Sequence, residues 1–351
     1  MHSDSLLIEG GGNAANTACA MGRLGKYVDA SLLTAVGSDD NGKKIVEGIE
    51  SNNVSVIAET YEGSSPFSYI ICADVDGEST RTIIHQPPSG DMSTEFVEGR
   101  IQLGEYSAVH FDVRYPDAAV ELARECVAQG VLYSVDVERP RPGLEIIMKG
   151  ATVVICDANY CKNVLGRKSS EDPVDNLRGV IKKQAPNAKI AVTTLGAKGS
   201  CLVRFGDDED DGEDEVVVLK NEKNPNIPTV TLKRGALFCS IFGGCKVVDT
   251  TGAGDSFIGG FLTALWNSHV SDDLKDEADI VPRETRLLAH ALRVASRVAA
   301  KKIEKVGARS GLPTSDDTFL SSEMKSMKSI FRAANKAHRR VTDLSQCKQQ
   351  S

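Results

Sequence analysis

The sequence predicts an α/β fold in which a mostly parallel sheet is covered by helices on both faces, with a small β-hairpin standing outside it. Three observations carry this prediction. Short apolar strand-like runs alternate with helical patterns along most of the 351 residues, as expected of strands buried on both faces. A nine-residue run, Asp249-Thr250-Thr251-Gly252-Ala253-Gly254-Asp255-Ser256-Phe257, sets a glycine-rich turn directly before a helical pattern. One segment breaks the alternation: Ser68–Ala73 and Arg81–Ile84 flank Asp74-Val75-Asp76-Gly77, a hairpin signal centred on Asp-Gly.

In chain order, the small-residue helical pattern Asn13–Leu24 is followed by a strand over Ala30–Val36 and a helix over Gly42–Ser51. After the hairpin come strand Ala108–Phe111, helix Asp117–Gln129, and strands Leu132–Val135 and Thr152–Cys156. Helix Pro173–Gln184 and strand Ile190–Thr194 continue the rhythm. Ser200–Phe205 and Val216–Leu219 are β-like, and Val230–Leu232 with Leu237–Phe242 reads as an extra hairpin. A long helix covers Arg283–Ile303. Beyond Pro313 the rhythm is lost, so residues 1–320 read as one domain and 321–351 as a terminal helix and tail.

Composition narrows the function classes. The formal charge of −8 is matched by eight acids in Asp207–Glu215, so the rest of the chain is close to neutral. The acidic stretch 206–215 reads as a solvated hairpin tip between two strands. No basic stripe with aromatics points to nucleic acid. No apolar run approaches the ~20 residues needed to span a bilayer. Nine scattered cysteines without a C-x-x-C read as reduced thiols in a reducing, cytoplasmic setting, not as a zinc site. The six histidines are equally scattered, so no metal-ligating cluster is expected.

The chemistry concentrates at Asp249–Phe257. From Phe257 onward Ile258, Phe261, Leu262, Leu265 and Trp266 recur at helical spacing. A glycine-rich turn opening a helix presents free N–H groups and the positive end of the helix dipole to an anion. Asp255 at its mouth suits a carboxylate that takes a proton from a hydroxyl attacking a phosphoryl group. An Asp at this point is otherwise an ordinary helix cap. No G-x-x-x-x-G-K-[ST] occurs, which excludes P-loop chemistry.

The nine-residue run resembles the C-terminal signature of the ribokinase/PfkB carbohydrate kinases. Gly11-Gly12-Asn13-Ala14-Ala15-Asn16, followed by Ala18, Ala20, Leu24 and Gly25, resembles their other signature. The resemblance runs from about Gly11 to Pro313. It implies a ribokinase-like fold with a small β-sheet lid (hairpin about 64–86) that closes over a sugar, and ATP-dependent phosphorylation of a hydroxymethyl group. Asp255 would be the catalytic base, and the amides of Gly252, Ala253, Gly254 and Asp255 the anion hole. Gly11, Gly12, Asn13 and Asn16 would bind the sugar, with Arg81 of the lid turned toward the active-site anion.

At the nucleotide end, Thr193-Thr194-Leu195-Gly196-Ala197-Lys198-Gly199 matches the family's Thr-x-Gly-x-x-Gly, which implies ATP contacts at Thr194, Gly196 and Gly199. Helix Arg283–Ile303, through Ala291, Ala295, Val298 and Ala299, would wall the adenine or pack the core. The loop Gly307–Gly311 would close the pocket. Mg²⁺ would travel with the nucleotide, near Asn159 of Asn159-Tyr160-Cys161-Lys162, where Lys162 stands in place of the family's Glu; a monovalent cation near the anion hole is a further implication. Asn13, Ser79–Ile84 and Val135–Arg141 are most similar to ketohexokinases. Ribokinase or fructokinase specificity is the alternative, and a silent binding or regulatory protein a second one. The family carries a strand and a sugar-gripping Asp ahead of Gly-Gly, whereas only ten residues precede it here and Asp4 is the sole candidate. The expectation is therefore a shortened chain, with a plastid location the alternative if a targeting segment is missing. A lid of this kind also suggests a homodimer.

Overall fold

The parallel strands that dominate the sequence pattern assemble in the structure, a computed structural model, which describes residues 9–75, 78–205, 216–219, 226–266, 269–270, 282–320 and 327–328. Helix α1 (Asn13–Arg23), strand β1 (Ala30–Gly37), helix α2 (Asp40–Glu50) and strand β2 (Val54–Tyr61) come first. The hairpin follows as β3 (Phe67–Val75) and β4 (Glu78–Gln86), then α3 (Thr94–Arg100), β5 (Ala108–Phe111), α4 (Pro116–Gln129), β6 (Leu132–Val137), α5 (Leu144–Gly150), β7 (Val153–Asp157), α6 (Ala158–Leu165), α7 (Pro173–Gln184), β8 (Ile190–Thr194) and β9 (Ser200–Arg204). The chain continues through β10 (Val217–Leu219), β11 (Val230–Lys233), β12 (Ala236–Cys239), α8 (Ala253–Trp266), β13 (His269–Val270), α9 (Arg283–Lys302) and β14 (Met327–Lys328).

The main sheet has eight strands in the order β10-β11-β12-β9-β8-β7-β6-β5. It is mixed: β5 to β8 run parallel, whereas every pairing from β8–β9 outward is antiparallel. Two strands depart from expectation. β9 and β10 do not form a hairpin around the acidic run; β9 pairs with β12 and β10 with β11. The reason is the β11–β12 hairpin, turned at Arg234-Gly235 with φ of 53° and 68°, which inserts between them. The acidic residues 206–215, the first eight residues with Asp4, and nearly all of 321–351 lie outside the described residues.

Alternation along β7 shows how both faces are covered. Val153 and Ile155 join a core cluster with residues of α1, α8 and α9. Val154 and Cys156 join a second cluster with residues of α4, α5 and α7. β1 and β2 form a separate parallel pair, tied to the rest where the Tyr115 hydroxyl donates to Ala35 O at 3.0 Å and accepts from Ala35 N at 3.3 Å. β3 and β4 pair antiparallel over their whole length, apart from the main sheet. The base of this hairpin is anchored at Ser65, whose hydroxyl donates to the Asp39 cap of α2 at 2.7 Å and accepts from Gly37 N at 2.9 Å.

Candidate active site

The turn before α8 is held from both sides by Asp249. Its Oδ1 accepts from Thr251 N at 2.8 Å and Thr251 Oγ1 at 2.7 Å, and its Oδ2 accepts from Gly307 N at 2.9 Å. Burial opposes the charge of this carboxyl, yet these hydrogen bonds and nearby Lys302 hold it below its ordinary range. Gly252 has φ of 73°, and a Cβ there would lie 2.9 Å from Ala308 O, so only glycine fits. The Gly252 carbonyl begins α8 by accepting from Ser256 N at 2.9 Å and Ser256 Oγ at 2.7 Å.

The anion-hole expectation needs one correction. The Ala253 amide donates to Thr250 O at 3.1 Å, so it is already used in the turn. The amides of Gly254 and Asp255 have no backbone partner among the described residues, and Gly254 is exposed. Those two remain aimed outward at the start of the helix.

Close packing of three helices then delivers the carboxylate. A Cβ on Gly259 would lie 2.6 Å from Ala20 Cβ and 2.8 Å from Thr17 O of α1, and one on Gly260 would lie 2.9 Å from Val298 Cγ2 of α9. With α1 that near, Asn16 Nδ2 donates to Asp255 Oδ2 at 2.7 Å. Asn16 Oδ1 in turn accepts from Arg309 Nε at 2.8 Å. Both ends of the Asn16 amide are thus engaged within the chain, and it orients Asp255 where free contact with a sugar was expected. Burial above all pushes the Asp255 carboxyl up to about 7; Glu138 and Asp112 add to the effect, while Asn16 and Arg309 oppose it.

Gly12, with φ of 97°, is the cap residue of α1 and offers no side chain. Asp112 supplies the missing acceptor, its Oδ2 taking Ala14 N at 3.1 Å. Asn13 is therefore not a cap. Its Nδ2 reaches Asp136 Oδ2 at 3.5 Å, and it lines a cleft with Asp112, Asp136, Glu138, Arg139 and Arg141. Gly11 has open space where a side chain would be. Burial, then Glu138 and Asp255, raise the Asp136 carboxyl well above its ordinary value, with Asn13 opposing. Burial and then Arg114 and Arg139 lower Arg141, which places three guanidinium groups near this cleft. Arg81 lies on β4 opposite Cys72, and its side chain falls outside the described residues.

The cleft sits at the carboxyl ends of the parallel strands, where open α/β sheets bind ligands. Asp112 follows β5, Asp136 and Glu138 lie at the end of β6, and Asp157 of β7 is in register with Thr194 of β8. Asp157 caps α6, accepting from Tyr160 N at 2.6 Å, so the exposed Asn159 shares this edge with Thr194. Gly196 has φ of 58° with open space around it, whereas Gly199 has φ of 90° and would press a Cβ onto the Cys239 carbonyl. Gly199 thus answers to the passage of β12. Ala291, Ala295 and Val298 are fully buried and face the core beside α8, leaving only Ala299 of the expected adenine wall partly buried. Gly307, with φ of 91°, is brought to the α8 turn by Asp249 and flanked by Glu9, which accepts from Ala308 N at 2.7 Å and Ser310 Oγ at 2.5 Å. Among the described residues no group of three or more His, Cys, Asp or Glu is placed to hold a metal ion.

Sequence reasoning assigned no role to Asp112, Asp136, Glu138 or Arg309, although the last three lie in stretches it singled out, Val135–Arg141 and Gly307–Gly311. An acid at the carboxyl end of a buried parallel strand is the readable signal for Asp112 and Asp136; nothing local marks Arg309.

Comparison with known proteins bears on the family and the fold. The family model described as pfkB family carbohydrate kinase matches residues 3–315. A ribokinase from Haemophilus influenzae is 26% identical over 324 residues, covering 88% of this chain and 86% of that protein. A probable fructokinase-7 from Arabidopsis thaliana is 26% identical, with coverage of 87% and 81%. The structure of a ribokinase from Giardia lamblia superposes with a TM-score of 0.65 at 19% identity, covering 93% of both chains. That of an Arabidopsis thaliana ribokinase complexed with ribose and ATP gives 0.64 at 18% identity, covering 93% of this chain and 90% of the other. With the family model spanning most of its length and the fold agreeing, the chain belongs to the pfkB family of carbohydrate kinases.

Proposed function

We propose that this chain is a ketohexokinase-like enzyme that transfers the γ-phosphoryl group of ATP to the hydroxymethyl group of a ketose, with Asp255 as general base. The observation that carries this reading is the pairing of one carboxylate, fixed by Asn16 at 2.7 Å, with the outward amides of Gly254 and Asp255 at the start of a 14-residue helix. Pushed up to about 7, that carboxyl can accept a proton near neutral pH. The two amides and the helix dipole face the charge that grows on the phosphoryl oxygens. Asn13 and Asp136 offer a donor and acceptors to neighbouring sugar hydroxyls, and Glu138 to Arg141 form the far wall. Mg²⁺ bound to the triphosphate would supply charge neutralisation; with no metal-holding carboxylate cluster among the described residues, the ion would arrive on the nucleotide, Asn159 being a polar side chain on that edge.

The preference for a ketose rests on Asn13 facing the Val135–Arg141 stretch. Ribokinase specificity, with ribose as acceptor, is the competing reading favoured by the ribokinases among the relatives; fructokinase specificity, favoured by the fructokinases among them, shares a ketose acceptor and would show as turnover confined to fructose. An ADP-release assay across fructose, ribose, xylulose, tagatose and adenosine decides. Turnover highest with a ketose supports the reading, turnover highest with ribose overturns the specificity, and full turnover by Asp255→Asn overturns the base.

Two further readings accompany this one. Tyr69 and Ile84, directly opposite each other on the hairpin, are 58% and 56% exposed, which favours a homodimer through the lid; sedimentation of a Tyr69→Lys variant as a monomer against a wild-type dimer tests it. Cys19, Cys126, Cys156, Cys161, Cys201, Cys239 and Cys245 are free thiols, which fits a reducing compartment such as the cytoplasm, with the plastid as the alternative.

A further inference from the structure

The base does not stand alone. Arg309 is buried and lies in the loop after α9, with no place in either family-like signature. Its Nε donates to Asn16 Oδ1 at 2.8 Å and its Nη2 to Gly11 O at 3.1 Å. Asn16 Nδ2 donates to Asp255 Oδ2 at 2.7 Å. We infer that Arg309 is a positioning residue: it locks the Asn16 amide in the one orientation that donates to Asp255, and ties the loop after α9 to the base and to the Gly11 turn.

The chemistry of the three groups dictates the orientation. A guanidinium has donors only and an ionised carboxylate acceptors only, whereas an amide carries one of each at its two ends. Set between Arg309 and Asp255, the Asn16 amide must place oxygen toward the first and nitrogen toward the second. Were Arg309 absent, a protonated Asp255 could donate to the amide oxygen after a half-turn of the amide, and the neutral acid would be as well solvated as the anion. With Arg309 holding that oxygen, Asn16 can only donate. A fixed donor favours the ionised carboxylate, the form able to take a proton.

The surrounding charges make this contribution matter. Burial, Glu138 and Asp112 all push Asp255 toward its neutral form, and Arg309 is the cation that opposes them. Asp136 is itself driven toward neutrality, by burial first and then by the charges of Glu138 and Asp255. Arg309 also acts on Cys19, whose thiol is raised by burial while Arg309 and Arg23 work against that; the net upward shift keeps it neutral, so it does not compete for the cation. The residues flanking Arg309 are fixed as well, because Glu9 accepts from Ala308 N and Ser310 Oγ and Asp249 accepts from Gly307 N. Loop position is thereby linked to the protonation of the base.

This inference rests on Asp255 acting as the base, and the test separates the two. Arg309→Met and Arg309→Lys are compared with wild type and Asp255→Asn in full pH profiles of kcat/KM. In Arg309→Met the acid limb moves up by about one pH unit, so the loss approaches about tenfold below pH 7 and is mostly recovered near pH 9, with the KM values for ATP and sugar changed little. Arg309→Lys keeps the charge without the Nε donor and shifts the limb by a smaller amount. A limb coincident with wild type in a folded variant, whatever the loss in kcat, overturns the inference, since a merely structural role lowers activity at every pH. An inactive Asp255→Asn beside an unshifted Arg309 limb removes the coupling alone; a fully active Asp255→Asn removes the base. Wild-type protein gives a check that needs no variant to fold: the Arg309 Nε–H exchanges slowly in ¹⁵N-edited spectra and shows a cross-peak to the Asn16 amide, and fast exchange with no such cross-peak overturns the inference.

Discussion

Replacing Asp255 by Asn separates activity from stability. The Asn keeps an oxygen that can accept from Asn16 Nδ2 and a volume close to that of Asp, but it carries no charge. In the native protein the Asp255 carboxyl is pushed from its ordinary 3.8 up to about 7, mainly by burial. A carboxyl whose pKa rises on folding leaves stability intact below the unfolded pKa, and stability falls as pH climbs toward the folded one. A shift of about three units at about 1.4 kcal/mol each sets a ceiling of about 4 kcal/mol on the cost of keeping this anion in place above pH 7. Water reaching the partly exposed side chain lowers that to about 2–4 kcal/mol. Asp255→Asn is therefore expected to be more stable than wild type at pH 8, with a smaller gain at pH 5, while kcat drops ~10²–10⁴-fold. Urea denaturation at the two pH values and an ADP-release assay measure both. A variant destabilised equally at pH 5 and pH 8 would refute the reasoning, because the carboxylate would then be a structural contact and not a strained, poised base.

Other perturbations probe the supports of the site. Gly252→Ala forces a side chain into φ of 73° against Ala308 O; it is expected to cost about 1–3 kcal/mol and at least tenfold in kcat, read by thermal denaturation and steady-state kinetics. Arg297→Met breaks a pair with Asp317 at 2.8 Å and removes a cation 4.6 Å above the Phe242 ring, for a loss of about 3 kcal/mol in urea. Burial opposes the Asp317 charge, yet Arg297 and Leu320 N hold its carboxyl below the ordinary value. That stabilisation is present above the unfolded pKa and vanishes as pH falls through the folded one, so the gap between variant and wild type should narrow in acid.

What could be read from the sequence follows a physical division. β5, α7 and β8 were bounded to the residue, because strands buried on both faces read as unbroken apolar runs and α7 opens on an Asp cap followed by Pro. β2 was missed: it belongs to a two-stranded pair with most of its residues only partly buried, so its alternation is blurred. Helices α3, α5 and α6 have seven or eight residues each, too few turns for a period to show. The partner of β9 was misjudged because pairing is non-local, and a charged stretch between two apolar ones looks like a tip whatever strands it joins.

The site divides in the same way. Gly252, Gly254 and Asp255 were legible because a left-handed turn, exposed amides and an acid leave a fixed residue pattern along consecutive positions. Arg309 carries no such pattern, and Asp112 and Asp136 are marked only by their place at strand ends; the meaning of each comes from what folding sets beside it. Arg309 meets Asn16 across 293 positions of chain, and α1 reaches α8 only because Gly259 lets the two backbones close on each other. On the proposed reading the signatures mark where phosphoryl chemistry takes place, whereas the groups that set the protonation of the proposed base are distributed through the packing. A chain could keep both signatures and still lose its working pH range through one change in the loop after α9, and that makes Arg309 as informative a position as Asp255.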